Sequence, residues 1–175
     1  TRSARITNRA DGDIVLKKAL SACLQLDGTD YEYITLHGSW ARERHIDRRP
    51  LTHGRHSVSS LRGESSHQDH PFLAVMTTGT TQETGEVYAM NFVYSGNFLA
   101  QAEGCQFDAA RMVMGINPEN FSWTLTKDET FTCPEVVMVY SDAGLGKMTR
   151  TFHDLYRRHL IRGEYRDKKR PILIN

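Results

Sequence analysis

The chain has 175 residues, and its 22 Lys and Arg residues nearly balance its 21 Asp and Glu residues, for a formal net charge of +1. This balance is unlike the clustered basic excess of nucleic-acid-binding proteins, and no run approaches the roughly 20 apolar residues of a membrane-spanning helix, so we expect neither nucleic acid nor a membrane as a partner. The three cysteines, Cys23, Cys105 and Cys133, form no C-x-x-C pair, which indicates free thiols in a reducing cytosol and predicts a cytoplasmic protein.

Short β-strands dominate the first part of the chain. Apolar alternation and short apolar runs between polar turns predict strands at residues 4–8, 13–26, 31–40, 72–77, 86–94, 98–103, 111–116, 121–126 and 136–140. The turn sequence Ala-Asp-Gly-Asp at 10–13 predicts that the first two strands pair as a hairpin. Residues 42–68 have the least regular pattern, and the charged run at 127–130 predicts a hairpin loop. Many short strands at regular spacing favour an all-β antiparallel sandwich over a βαβ arrangement.

One amphipathic helix is predicted after the strands, at residues 144–162. Gly163 follows it at the position of a C-terminal glycine cap. The apolar face of this helix repeats at helical spacing through Met148, Phe152, Leu155, Tyr156 and His159. We expect this face to pack on the sandwich or on a further domain.

The last residues predict the start of a further domain. A charged stretch and Pro171 precede the apolar run at 172–174, which is typical of the first strand of a new buried sheet. We therefore expect a β domain at 1–143, a linker helix at 144–163, and a linker with the beginning of the next domain at 164–175. The chain also lacks an initiator methionine, so we interpret it as a piece of a larger protein.

The two tryptophans carry different predictions. Trp123 alternates with Phe121 and Leu125, which predicts that all three side chains point into the core. Trp40 ends a predicted strand beside Arg42, and its pattern is equally consistent with a core position and with an exposed ring that contacts a partner or stacks on a sugar.

Two histidine pairs have a spacing that metal sites use, His53-x-x-His56 and His67-x-x-His70. Metal sites require three or four converging ligands, and the prolines and glycines around these pairs disfavour the helix that would bring two imidazoles together. We therefore predict no metal site and no cofactor. Ser65-Ser66-His67 with Asp69 suggests a hydrolase triad, but residues this close in sequence do not readily converge as a triad requires.

The acidic residues predict no catalytic centre. One kind of acid/base centre holds two carboxyl groups about 5–5.5 Å apart, one as the nucleophile and the other as the acid/base. The close acidic pairs of this chain all lie in turn-like segments, where solvated loop positions are expected: Asp11 with Asp13, Asp27 with Asp30, and Asp128 with Glu129.

Six sequence blocks, taken in order, resemble the bacterial α-galactosidases (melibiases) of glycoside hydrolase family 36. They are Gly-Ser-Trp-Ala-Arg-Glu-Arg at 38–44, Arg-Gly-Glu-Ser-Ser-His-Gln at 62–68, Met-Gly-Ile-Asn-Pro-Glu-Asn-Phe-Ser-Trp at 114–123, Pro-Glu-Val-Val-Met-Val-Tyr-Ser at 134–141, Thr-Phe-His-Asp-Leu-Tyr-Arg-Arg-His-Leu at 151–160 and Arg-Pro-Ile-Leu-Ile-Asn at 170–175. The resemblance runs from about Leu36 to Asn175.

The resemblance implies a position within a larger enzyme. Family members have an N-terminal β-supersandwich, a (β/α)8 catalytic barrel and a small C-terminal β domain. This chain would be the later part of the supersandwich with its linker helix, and residues 170–175 would enter the first barrel strand. The implied function is that of a non-catalytic domain of a retaining enzyme that hydrolyses terminal α-galactosides such as melibiose and raffinose. The domain would support the barrel and the assembly of a homotetramer. Because the family's catalytic aspartates lie in the barrel, we expect this chain alone to be inactive, with apolar surface exposed where the barrel packs.

Two segments supply candidate contacts with a sugar or with the barrel. The candidates are Trp40, Arg42, Arg62, Ser66, His67 and Gln68. One alternative function is an independent carbohydrate-binding β-sandwich, whose aromatic platform would come from Trp40, Tyr88, Tyr94 or Phe98. The other alternative is a structural interaction module without a ligand. Sugar binding by the isolated chain would distinguish the first alternative from the second.

Overall fold

The computed structural model describes residues 1–174. Its strands are β1 (Arg5–Thr7), β2 (Ile14–Leu16), β3 (Leu20–Asp27), β4 (Tyr31–Ser39), β5 (Arg42–Pro50), β6 (Gly54–Ser59), β7 (Phe72–Thr77), β8 (Val87–Phe92), β9 (Phe98–Cys105), β10 (Ala109–Ile116), β11 (Trp123–Leu125), β12 (Thr130–Thr132) and β13 (Val136–Ser141). Helix α1 covers Gly144–Leu155 and continues as a π-helical turn at Tyr156–Leu160, and a short 3-10 turn lies at Glu164–Arg166. Among these residues, no helix is both long and apolar enough to cross a membrane.

Two antiparallel sheets form the predicted sandwich. One has the strand order β13-β8-β7-β4-β5 and the other the order β3-β10-β9-β6. Strand β9 shows the period of two that such a sheet requires, because Phe98, Ala100 and Ala102 are buried between the sheets while Leu99 and Gln101 are partly exposed. The all-β prediction is therefore confirmed.

The five-stranded sheet is covered on both faces over its middle strands. Leu73 and Val75 of β7 belong to the core between the sheets, whereas Ala74 and Met76 belong to a second apolar cluster beneath α1. Four consecutive buried residues explain why β7 is recognisable in the sequence as a continuous apolar run.

The predicted hairpin of the first two strands is wrong. Strand β1 pairs with β12, and β2 pairs with β11, so both arms lie against the segment at 123–132. Residues 8–13 do turn back, but the buried side chain of Asn8 bridges Gly12 and Leu125 through its Nδ2 group. The long-range partner therefore determines the pairing, and the local turn does not.

The prediction that 42–68 is irregular is also wrong. Strands β5 and β6 occupy most of it, and each lies at an edge of its sheet. Along β5 every residue except Asp47 is exposed, so the strand has no apolar alternation for a sequence pattern to detect. Charged side chains on an edge strand protect it from pairing with other chains.

The helix ends earlier than its sequence pattern indicates. The amide of Ile161 donates to the Tyr156 carbonyl at 2.9 Å, and Ile161 itself is extended. Gly163 lies beyond this end, so its prediction as the helix cap is wrong. Met148 and Phe152 are buried as expected, whereas His159 is exposed. Residues 170–174 form no strand among the described residues, and Asn175 lies outside them, so the barrel-entry strand stays a prediction.

Candidate interaction surface

The two segments that carry the sequence-predicted contacts meet at one end of the five-stranded sheet. The Gly38 amide donates to the Gln68 carbonyl at 2.9 Å, and the His70 amide donates to the Leu36 carbonyl at 3.0 Å. These bonds attach the 60–71 loop to the end of β4. We call the surface formed by Trp40, Arg42, Arg62, Ser66, His67 and Gln68 the hairpin-tip surface.

Gly38 allows the β4–β5 hairpin to close. The register between the two strands shifts at this point, and the backbone of β5 passes very close to Gly38. A Cβ atom on residue 38 would lie 2.3 Å from the Arg42 carbonyl oxygen and 2.7 Å from the Glu43 Cα. Only glycine fits this approach of two backbones, which brings Trp40 to the tip of the hairpin.

Trp40 is 84% exposed, so the core alternative for this residue is wrong. The turn that carries it includes Ala41 at φ 60°, and the Ala41 amide donates to Glu43 Oε1 at 3.1 Å. Arg42 follows as the first residue of β5 and is also exposed. A large aromatic ring presented in this way is available to a partner surface or to a sugar ring.

The 60–71 loop is held by hydrogen bonds within itself and to the β8–β9 turn. The Arg62 guanidinium donates to Gln68 Oε1, and the Gln68 amide donates to Ser66 Oγ at 3.1 Å. The Gly63 amide donates to Asn97 Oδ1 at 2.6 Å. Arg62 and Gln68 thus pair with each other, while His67 is exposed at the outer side of the loop.

A polar cleft of about 610 Å³ lies between this loop and the start of β5. Its lining combines hydroxyl, imidazole, guanidinium and carboxylate groups from Glu43, Arg44, Ser65, Ser66, His67 and His70, with Pro71. These groups suit hydrogen bonds to a hydroxyl-rich ligand or to a polar partner surface. Among the described residues, Glu43 is the only carboxylate in the lining, so these residues do not supply the pair of carboxylates that a retaining glycosidase uses.

Burial shifts the protonation of two residues beside the cleft. It raises the pKa of the Asp69 carboxyl, an effect that His37 and Arg62 partly oppose. Burial also lowers the pKa of His70, and the positive charge of Arg44 lowers it further. The Nε2 atom of His70 is buried and has no hydrogen-bond partner among the described residues.

The histidine pairs do not converge as metal ligands. Over residues 1–174, no group of three or more His, Cys, Asp or Glu side chains could hold a metal ion. His56 packs against the ring of Tyr33, with 5.1 Å between the ring centroids. The ring centroids of His37 and His45 are 6.0 Å apart.

Trp123 is not a core residue, contrary to the prediction. It is 47% exposed and packs against Phe131, while Leu125 is fully buried and Phe121 is partly buried. Strand β11 belongs to a two-stranded ribbon, which buries only one end of the face that these residues share. The ring of Phe98 is fully buried, so it cannot belong to an exposed aromatic platform.

A tyrosine pair at a corner of the sandwich was not predicted as a unit. Tyr88 and Tyr140 are direct partners across β8 and β13, with ring centroids 5.2 Å apart. Both hydroxyls donate to Glu86, at 3.3 Å and 2.8 Å, and the bond to Glu86 raises the pKa of Tyr140 to about 12. The carboxylate ties the two rings together.

An apolar groove of about 650 Å³ was also missed by sequence reasoning. It lies between α1 and the outer face of the sheet, and its walls include Ile34, Leu36, Ile46, Phe72, Met148, Phe152, Tyr156 and Leu160. We call it the α1 groove. Its walls come from four strands and a helix that are distant in sequence, so no local sequence pattern predicts the groove. Arg44 and His70 line both this groove and the polar cleft.

Comparisons with known proteins agree with the fold. The model of the glycosyl hydrolase family 36 N-terminal domain matches residues 1–126, and the melibiase model matches residues 130–175. Alpha-galactosidase AgaA of Geobacillus stearothermophilus is 53% identical over 100% of this chain and 24% of its own length. The bifunctional alpha-galactosidase/sucrose kinase AgaSK of Mediterraneibacter gnavus is 43% identical over 100% of this chain and 19% of its own length.

A solved structure shows the same architecture. The crystal structure of AgaA matches with a TM-score of 0.93 and 50% identity, over 96% of this chain and 23% of that one. A variant of the same enzyme, solved in complex with raffinose, matches equally well. This chain therefore spans about a quarter or less of the length of these relatives.

Proposed function

Because this chain belongs to the glycosyl hydrolase family 36 N-terminal domain family, we propose that it is the non-catalytic N-terminal domain of a retaining α-galactosidase that hydrolyses terminal α-galactosides of the melibiose and raffinose type. The observation that carries the proposal is 53% identity over all 175 residues with a relative that is an alpha-galactosidase. The raffinose complex of a relative supports the substrate class.

In this proposal the chemistry belongs to a catalytic barrel that follows α1. Residues 1–174 place a single carboxylate, Glu43, in the lining of the polar cleft, whereas the retaining mechanism requires two. We expect the full-length protein to hydrolyse a chromogenic α-galactoside and the isolated chain to release no product. Hydrolysis by the purified chain would overturn the assignment as non-catalytic, and an inactive full-length protein would overturn the α-galactosidase assignment.

We propose that the hairpin-tip surface contacts the barrel or a neighbouring subunit, and that the intact protein is a homotetramer. The exposure of Trp40 at the end of a hairpin supports this role, because large apolar rings on a surface commonly mark interfaces. The test compares Trp40→Ala with Trp123→Ala in the full-length protein, since both rings are exposed. If Trp40 contacts a neighbouring subunit, we expect Trp40→Ala alone to reduce the molecular mass measured by light scattering, and equal masses would contradict this subunit contact.

Carbohydrate binding by the sandwich itself is the second candidate function. It is favoured by the position of Trp40 beside the polar cleft, since Glu43 both caps the Trp40 turn and lines the cleft. Titration calorimetry of the isolated domain with millimolar raffinose tests it. Binding that is lost in Trp40→Ala and kept in Trp123→Ala would support this function, and the absence of heat would contradict it.

We also propose a cytoplasmic location. The support is that Cys23, Cys105 and Cys133 are all free, a pattern typical of proteins kept in a reducing compartment. Fractionation of cells that express the full-length protein would check it, and recovery in the secreted fraction would contradict it.

A further inference from the structure

The α1 groove leaves large apolar side chains facing solvent on both of its walls. Helix α1 packs over β13 and β8, so it covers only part of the outer face of the sheet. On the uncovered side Ile46 is 68% exposed, and on the helix side Leu160 is 44% exposed. Covering exposed apolar surface of this kind with another surface removes it from water, which is favourable in free energy.

The helical wall of the groove is fixed in place by backbone contacts at the start of α1. The amides of Gly144, Leu145 and Gly146 donate to carbonyls at Gly85, Thr81 and Gln82, at 2.8–3.0 Å. Gly144 has φ +70°, and a Cβ atom there would lie 2.6 Å from the Thr81 carbonyl oxygen. These contacts fix the position of α1 on the sheet, so the groove is formed without a bound partner.

We propose that the α1 groove is the docking site for the catalytic domain of the same polypeptide. The proposal rests on the proposed function, because it takes the rest of the melibiase portion as the occupant. It deepens that function by identifying the surface through which this domain supports the barrel.

The segment that matches the melibiase model includes the helix that forms one wall of the groove. The melibiase match covers 130–175 and so includes β12, β13 and α1. Leu160 lines the groove, and the chain leaves the helix immediately afterwards at Ile161. In the proposed function the catalytic domain follows this helix, so its linker starts at the groove wall.

The size of the groove favours a tethered occupant over a second copy of the chain. Fifteen residues line it. A stable interface between separate proteins buries about 1,200–2,000 Å² and uses about 20–30 residues on each side. A domain joined by a short linker has an effective concentration in the millimolar range, so a smaller apolar patch is enough to hold it.

The charges around the groove specify the character of the occupant. The basic residues in its lining are Arg44, His70 and His153, its other titratable residue is Tyr156, and no carboxylate of residues 1–174 lines it. The docking surface of the catalytic domain should therefore offer apolar anchors flanked by carboxylates or other hydrogen-bond acceptors.

Cysteine labelling of the full-length protein tests the proposal. Ile46→Cys places a thiol in the groove, and Phe107→Cys places one in the β9–β10 turn of the other sheet, where Phe107 is 88% exposed. Peptide mass spectrometry separates these labels from those on the native cysteines. In the native protein we expect the thiol at 46 to react at least about tenfold more slowly with maleimide than the thiol at 107, because docking excludes the reagent. In urea the two rates should be equal.

Equal rates in the native protein would overturn the proposal, as would protection that disappears when a native oligomer is diluted to monomers. If Ile46→Cys fails to fold, hydroxyl-radical oxidation of wild-type Ile46 and Phe107 makes the same comparison. Activity on a chromogenic α-galactoside is measured on the same samples. Activity without protection would remove this inference and leave the proposed function, whereas protection without activity would keep the docking surface and remove the α-galactosidase assignment.

Discussion

The substitution Gly38→Ala tests whether the close approach of two backbones builds the Trp40 hairpin. The added Cβ would lie 2.3 Å from the Arg42 carbonyl oxygen and 2.7 Å from the Glu43 Cα. Both atoms belong to the backbone, so no side chain can rotate away and the hairpin itself must shift. Overpacking of this kind costs about 1–3 kcal/mol of unfolding free energy. For a chain of this size, that loss lowers the melting temperature by roughly 2–12 °C.

Gly12→Ala is the matched control, because no atom lies within 4 Å of a Cβ atom at position 12. Its unfolding free energy should stay within about 0.5 kcal/mol of wild type, or rise slightly because alanine restricts the unfolded chain. Urea unfolding followed by circular dichroism measures both variants, and amide hydrogen exchange at residue 38 reports the bond to Gln68. Equal midpoints for the two variants would refute the steric argument.

Three further outcomes are expected. Phe152→Ala should lower the unfolding free energy by about 3–5 kcal/mol, because the ring is buried against Phe72 and Tyr156, whereas His159→Ala on the exposed side should change it by less than about 0.5 kcal/mol. Similar losses in the two variants would show that α1 is not anchored through Phe152. The lowered pKa of His70 means that the unfolded chain binds a proton more readily, so wild type should lose stability relative to His70→Gln as pH falls below the unfolded value of about 6.5. Urea titrations at pH 8 and pH 5, about 1.5 units on either side of the unfolded pKa, measure the unfolding free energies of both proteins. If wild type and His70→Gln differ by the same amount at the two pH values, this prediction is contradicted. The raised pKa of Asp69 acts in the opposite direction, so wild type should gain stability relative to Asp69→Asn as pH falls towards the unfolded value of about 3.9, and a loss would contradict the burial of this carboxyl.

The sequence predicted the parts of the fold whose signals are local. The apolar run of β7 and the buried positions Met148 and Phe152 of α1 repeat with the period of their element, and each is buried as expected. Pairing is not local, and the turn at 10–13 predicted a hairpin that the contacts of β1 with β12 replace. Strand β5 was missed because an edge strand exposed on both faces has no alternation.

The candidate site was predicted only in part. The family resemblance selected the hairpin-tip residues, and the structure brings them together through the bonds of Gly38 and His70 to the neighbouring segments. The period of two placed Trp123 and Leu125 on one face correctly, but it could not show that this face is only half covered. The α1 groove depends on how far α1 extends over the sheet, which is a property of tertiary packing.

The pairing of β1 with β12 also has a consequence for synthesis on the ribosome. Thr7 and Thr130, whose hydroxyls bond at 2.8 Å, are 123 positions apart in the chain. At an elongation rate of about 5–20 residues per second, the first strand waits about 6–25 s before its partner is made. Local hairpins form in about 1–10 μs, so translation rather than diffusion sets when the N-terminal ribbons close. During that interval the nascent chain presents an unpaired strand that a co-translational chaperone could shield.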